Sequence, residues 1–145
     1  MPLILKSEAA MTLPDKKDSL EKRFRYDADK NRFYVNFENY SIESLRDIQR
    51  IEFIVAEHLS HLEKRVDAIV NYENFTIQQE LMDEYASMVN RLMEHFYAGV
   101  TRYTTDEFLR EELGNTLKKK KVKPNFYESI EDAEHALTVY TWSWG

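Results

Sequence analysis

No cysteine occurs in this chain, so disulfides, thiolate nucleophiles, zinc-finger sites and redox motifs are excluded together. That lack suits a reducing compartment, and the cytoplasm is the expected location. Glycine is scarce: Gly99, Gly114 and Gly145 are the whole supply, and none stands in a G-x-G-x-x-G or P-loop spacing. No glycine-rich phosphate cradle is written in the sequence. Basic excess is also lacking. With 26 acidic against 20 basic residues the net charge is -6, and such a field repels a polyanion, which argues against nucleic acid as a partner. Long apolar runs are missing too. Met1 to Leu5 is interrupted by Lys6, Ser7 and Glu8 before a signal-peptide core or a membrane span can form, so neither export nor membrane association is expected.

What is present is core material. Apolar residues make up 43% of the 145 and aromatics 13%, enough to build one ordinary hydrophobic core despite 32% charge. Residues 1–20, with Pro2, Pro14 and Asp15-Lys-Lys-Asp18, read as an arm or linker; residues 21–138 read as one domain; residues 139–145 read as a tail. No internal repeat or low-complexity tract is read within the domain.

Aromatic and polar residues alternate in Phe24-Arg-Tyr26 and Arg32-Phe-Tyr-Val-Asn-Phe37 around a turn-forming Asp27 to Asn31, which predicts a β-hairpin. After Ser41, Leu45, Ile48, Ile51, Val55, Leu59 and Leu62 recur at three-and-four spacing, one face of a helix. Val66-Asp-Ala-Ile-Val70 is a β-branched run of buried-strand type, and Asn71 to Phe75 is the loop at its carboxyl end. Thr76-Ile-Gln-Gln79 has the form of a capping box for a second helix with Leu81, Tyr85, Met88 or Val89, Leu92 and Phe96 on its buried face; Gly99 is the expected stop. Val100 to Tyr103 is a third strand, and Thr104-Thr-Asp-Glu107 is a second capping box opening a helix through Phe108, Leu109, Leu113 and Leu117. Lys118 to Lys121 form a soluble, dipole-complementing exit, Asn125 to Tyr127 a short edge strand, and Ser129 the cap of a last helix through Ala133, Ala136 and Leu137. Strands alternating with helices of this length require crossovers. The predicted fold is therefore α/β, a mostly parallel sheet of four to five strands with about four helices.

Open sheets of this kind bind ligands beyond the carboxyl ends of their strands, where helix N-termini present free N–H groups. Two loops qualify, one with Asn71, Tyr72, Glu73, Asn74 and Thr76, the other with Arg102, Tyr103, Thr104, Thr105 and Asp106. Asn71, Tyr72, Asn74, Arg102, Tyr103, Thr104 and Thr105 are the candidate ligand residues, offering a cation, hydroxyls and carboxamides to an anion. Thr76 and Thr104 are equally explained as N-caps, or as phosphorylation acceptors; Arg102 is the member that capping does not require. His58 and His61 stand three apart beside Glu57, but a third and fourth metal ligand are not evident, and His95 and His135 are isolated. No catalytic residues and no metal or cofactor site are assigned.

Several segments in order, Ser19 to Asp27, Phe33 to Glu38, Val66 to Tyr72 with Phe75, and Val100-Thr-Arg-Tyr-Thr-Thr105 followed by Phe108-Leu-Arg110 and Leu113-Gly114, resemble one family. They are similar to the carboxyl-terminal extension of fused acyl-CoA:acetate/3-ketoacid CoA-transferases, whose layout resembles the STAS (anti-sigma-factor-antagonist-like) fold. The resemblance covers roughly residues 19–137, and Val100 to Thr105 with the Phe108-Leu-Arg110 that follows is its most specific part. It implies CoA transfer through a glutamyl thioester formed in upstream catalytic domains within a Gly-rich segment. This chain has no such segment, so Glu38, Glu73 and Glu107 are not candidates for that nucleophile. It also departs from the family at Asp106, Glu107, Glu111 and Glu112, where small and basic residues are usual. The resemblance implies a non-catalytic accessory or interaction domain whose partners are CoA-transferase catalytic domains, in cis or in trans. The alternative role is a regulatory domain binding a small anion such as CoA or a nucleotide. Self-association stays open, as does the use of Trp142 and Trp144.

Overall fold

The structure, a computed structural model, describes the backbone of residues 20–144 and the side chains of residues 20–138. The expected arm lies outside the described residues up to residue 19, and so do the side chains of Trp142 and Trp144.

The aromatic alternation does form a hairpin. Phe24–Asp27 (β1) pairs antiparallel with Arg32–Asn36 (β2) across a turn in which Asn31 takes the left-handed region at φ 52, a conformation asparagine tolerates. The Asp27 carboxylate accepts from the N–H of Asp29 and Lys30, so the turn is closed by its own side chain. Phe33 and Val35 point into the core while Tyr34 takes the opposite face.

Ser41–Ile42 (β3) precedes the first helix, Leu45–Leu59 (α1), whose cap is Ser44, its hydroxyl accepting from the N–H of Asp47 at 3.3 Å. Ile48, Ile51, Val55 and Leu59 of the expected face are buried, and Ile54 with them, whereas Leu45 is exposed in the first turn and Leu62 lies past the end of the helix, partly buried. Val66–Asn71 (β4) pairs parallel with β2, and Thr76–Ile77 (β5) pairs parallel with β3. A 3-10 turn at Gln79–Leu81 leads into Met82–His95 (α2), then Tyr97–Tyr103 (β6), Glu107–Lys119 (α3), Phe126–Tyr127 (β7) and Ile130–Trp144 (α4). The backbone of the expected tail is thus helical through Trp144.

The fold is α/β: a sheet in the order β1-β2-β4-β6-β7, parallel except for the hairpin, with four helices among the described residues. Within this sheet each strand lies beside the sheet strand that precedes it in sequence, and β3 and β5 form a separate pair. Crossovers of one hand advancing in one direction fall on one face of a sheet. There α1, α2 and α3 cover a core built on Phe33, Val35, Val66, Ala68, Val70 and Val100. Among the described residues the opposite face carries α4 alone. Ile69, Ala133 and Leu137 pack there with Tyr34, Tyr103 and Tyr127, and the Thr101 hydroxyl donates to the Ala133 carbonyl at 3.0 Å.

Four local expectations are corrected. Thr76 caps no helix, because it lies in β5 and α2 starts only at Met82 without a side-chain cap. Gly99 does not end α2 but lies inside β6, at a bulge where Val66 pairs with Tyr97 and Asp67 with Gly99, leaving Ala98 unpaired. The cap of α3 is Asp106, whose carboxylate accepts from the N–H of Leu109 at 3.1 Å, and not Thr104. Phe108 is not on the buried face of α3: Leu109, Leu113 and Leu117 are buried, whereas Phe108 is 72% exposed.

Candidate functional site

The parallel strands end together. Asn36, Asn71, Tyr103 and Tyr127 are successive register partners, so the loops after β2, β4 and β6 line one edge of the sheet. Two of these loops share a seven-residue repeat. Asn36-Phe-Glu-Asn-Tyr-Ser-Ile42 and Asn71-Tyr-Glu-Asn-Phe-Thr-Ile77 differ only by conservative exchanges, which corrects the expectation that the chain holds no internal repeat.

The repeat dictates one geometry twice. Each first asparagine accepts through Oδ1 from the N–H two residues on, Glu38 at 2.9 Å and Glu73 at 2.8 Å. Each second asparagine turns the chain in the left-handed region, Asn39 at φ 60 and Asn74 at φ 54. The aromatic residues of both loops, Phe37, Tyr40, Tyr72 and Phe75, are buried and in ring contact below, Phe37 stacked on Tyr40 and Tyr72 edge-on to Phe75. The last two residues of each repeat are β3 and β5, which pair with one another.

Each glutamate reaches the next loop along the edge. Glu38 accepts from Asn71 Nδ2 at 3.2 Å. Glu73 accepts from the Thr104 hydroxyl at 2.9 Å and from both the N–H and the hydroxyl of Thr105. The Thr105 N–H, helped by the two threonine hydroxyls, holds the Glu73 carboxyl below the usual carboxylate range. Thr104 is fully buried and also accepts from the N–H of Asp106 at 3.1 Å, while Arg110 donates to the Thr104 carbonyl at 2.8 Å. The donors expected to hold an external anion are thus occupied by a carboxylate of the chain itself.

Arg102 points away from this edge. It is 1% exposed and lies on the three-helix side with Tyr72, Tyr85 and Tyr97. Its Nη1 donates to the carbonyls of Lys123 at 3.2 Å and Pro124 at 2.9 Å, which pins the segment between α3 and β7 onto β6. Asn125 completes that anchor, donating to the Val100 carbonyl at 2.9 Å. The hydroxyls of Tyr72 and Tyr85 share a hydrogen bond of 2.6 Å, and burial pushes both phenols up. A cavity of about 20 Å³ beside this group is the size of one water.

The seven candidate residues therefore divide into four places. Thr104 and Thr105 close on Glu73; Arg102 and Tyr72 are interior; Asn74 donates to Asn39 Oδ1; Asn71 and Tyr103 face the α4 side. That last pair borders a trough of about 280 Å³ whose wall includes Lys22 and Arg25, with Arg25 stacked over Tyr34 at 4.3 Å. Burial, with Glu38, Glu73, Glu134 and Glu131 nearby, pushes the Tyr103 phenol up. Sequence reasoning did not single out Lys22, Arg25 or Tyr34, because only strand pairing brings them beside Asn71. The repeat was readable directly.

His58 packs against the rings of Phe24 and Phe33. Among the described residues no group of three or more His, Asp or Glu is placed to hold a metal ion, and no helix is long and apolar enough to cross a membrane. Comparison with protein-family models, curated proteins and solved structures finds no match to this chain.

Proposed function

We propose that this chain is a non-catalytic interaction module that positions or regulates acyl-CoA:acetate/3-ketoacid CoA-transferase catalytic domains, in the same polypeptide or in trans. The observation that carries this reading is the Glu73 carboxylate seated on Thr104 and Thr105. An anionic metabolite arriving at the N-terminus of α3 would have to displace an internal anion with three donors already satisfied. Arg102, the cation such a metabolite would need, is committed to the carbonyls of Lys123 and Pro124. The resemblance supplies the partner class, and Thr104, Thr105 and Arg110 of its most specific part take part in this hydrogen-bond network.

The test is capture of partners from a lysate of the source organism on the tagged chain. CoA-transferase catalytic chains in stoichiometric amount are the expected result. A saturable thermal shift with CoA on the isolated chain would instead favour a ligand-binding role; ligand at about 100 times its Kd stabilises by about 2.7 kcal/mol, a shift easily measured.

That second role, a small domain binding CoA or a nucleotide, keeps one observation in its favour: the trough where Asn71 and Tyr103 meet Lys22 and the Arg25–Tyr34 stack. Under it, the CoA shift is lost in Arg25→Ala and retained in Arg102→Lys.

A further inference from the structure

The interior between β6 and α2 holds a charge that the chain does not balance. Arg102 is 1% exposed, and among the described residues no carboxylate forms an ion pair with it. Arginine is almost never fully buried without a partner of opposite charge, because a guanidinium is expensive to take out of water. The two carbonyls on Nη1 offer dipoles but no negative charge. They also leave a donor over: Nε is buried and meets no acceptor among the described residues. A charged donor left without an acceptor costs more than a neutral one.

Arg102 lines the cavity of about 20 Å³ together with Tyr72, Tyr85 and Tyr97, and the rest of the wall is apolar. Every residue of that wall is buried. The phenols supply a second donor. Tyr72 and Tyr85 carry two hydroxyl protons, and their mutual hydrogen bond uses one of them, so one O–H of the pair is left to donate. Burial keeps both phenols in the neutral form that donates, and it acts on Tyr97 in the same direction.

The two donors and the positive charge together define what fits. A water accepts from both, but its own protons then face a mainly apolar wall and the guanidinium charge stays unbalanced. A monatomic anion accepts from both, has no protons to place, and cancels the charge. Chloride is only slightly larger than a water, whereas acetate, sulfate and phosphate esters exceed the space. We propose that this cavity is a binding site for a monovalent halide, chloride above all, held by the Nε–H of Arg102 and the free O–H of the Tyr72–Tyr85 pair. The ion joins three elements at one point, because Tyr72 follows β4, Tyr85 lies on α2 and Arg102 on β6. It is a structural ligand, remote from the loop edge where Glu73 fills the donors, and the inference is independent of the role proposed for the domain.

An ion bound by the folded chain alone stabilises it with a saturating dependence on concentration. Thermal unfolding in sodium chloride should therefore be compared with sodium gluconate at equal sodium, gluconate being too large for the cavity. At chloride about ten times its Kd the midpoint should lie about 4 °C above that in gluconate. Bromide should replace chloride. Arg102→Met, which removes both the charge and Nε, should unfold at the same temperature in either salt. Because Arg102 also anchors Lys123 and Pro124, a variant that fails to fold leaves the decision to the wild type: crystals grown in bromide should show an anomalous peak beside Arg102 Nε. Equal midpoints in chloride and gluconate would overturn the proposal. So would a chloride response that survives in Arg102→Met, or bromide crystals with no peak beside Arg102; a water is then the occupant.

Discussion

The two copies of the seven-residue repeat are the same device set to different work. Both turn on a left-handed asparagine, both bury two aromatic rings, and both end in a two-residue strand. They part at the carboxylate and at the isoleucine. Glu38 takes one amide from Asn71, whereas Glu73 takes three donors from Thr104 and Thr105. Ile42 is fully buried at the entrance to α1, whereas Ile77 is only partly buried before the 3-10 turn. Local sequence sets the shape of the turn. What the turn then holds depends on the neighbouring strand, since Asn71 follows the first copy and Thr104 the second.

The largest expected difference lies at the isoleucines. Ile42→Ala should cost about 3 kcal/mol, by lost transfer energy and a cavity, and Ile77→Ala about 1 kcal/mol. Urea unfolding checks this, and equal losses would break the distinction between the two copies. Next come the carboxylates. Glu73→Gln should cost about 1 kcal/mol, a value already reduced for its partial exposure, while Glu38→Gln stays within about 0.5 kcal/mol. The pH dependence sharpens the same contrast. A carboxyl whose folded pKa is depressed contributes stability that is present above its unfolded value of about 4.5 and lost as pH falls through the folded value. Between about pH 6 and pH 3 the wild type should therefore lose more stability than Glu73→Gln, and a parallel pair of curves would show that Glu73 contributes nothing by its charge. The smallest effect is expected at Thr76. Placed in a strand and capping nothing, Thr76→Ala should change stability by less than about 0.5 kcal/mol, against about 1 kcal/mol for Asp106→Ala at a true cap. Thermal unfolding of the two variants decides it.

Much of the fold was legible because its signals are local. The hairpin follows from alternation, α1 from three-and-four spacing, and β4 from a run of β-branched residues buried on both faces. The errors share a different cause. Thr76-Ile-Gln-Gln79 and Thr104-Thr-Asp-Glu107 both satisfy the capping-box pattern, yet a residue fits that pattern whether it caps a helix or pairs across a sheet. Thr76 is drawn into β5 by β3, 35 residues earlier in sequence, and Thr104 is drawn to Glu73, 31 residues away. Gly99 reads as a stop because glycine punctuates helices, whereas it sits at a bulge whose existence depends on the register of β4. Capping does not account for Arg102, and its partners are carbonyls beyond α3, which no spacing rule connects to it. The trough and the Glu73 clamp belong to the same class: contacts made by residues far apart in the chain.

The strand order has a consequence for how this molecule can be assembled. Within the five-stranded sheet, every strand from β2 onward lands on the exposed flank of the sheet strand synthesised before it, and β3 and β5 pair separately. No strand has to be threaded between two that are already paired, and each helix arrives together with the strip of sheet it covers. A chain emerging from its amino end can therefore lay down the sheet in the order of translation. The hairpin is one edge of that sheet, and α4 closes over the far face of strands already laid down.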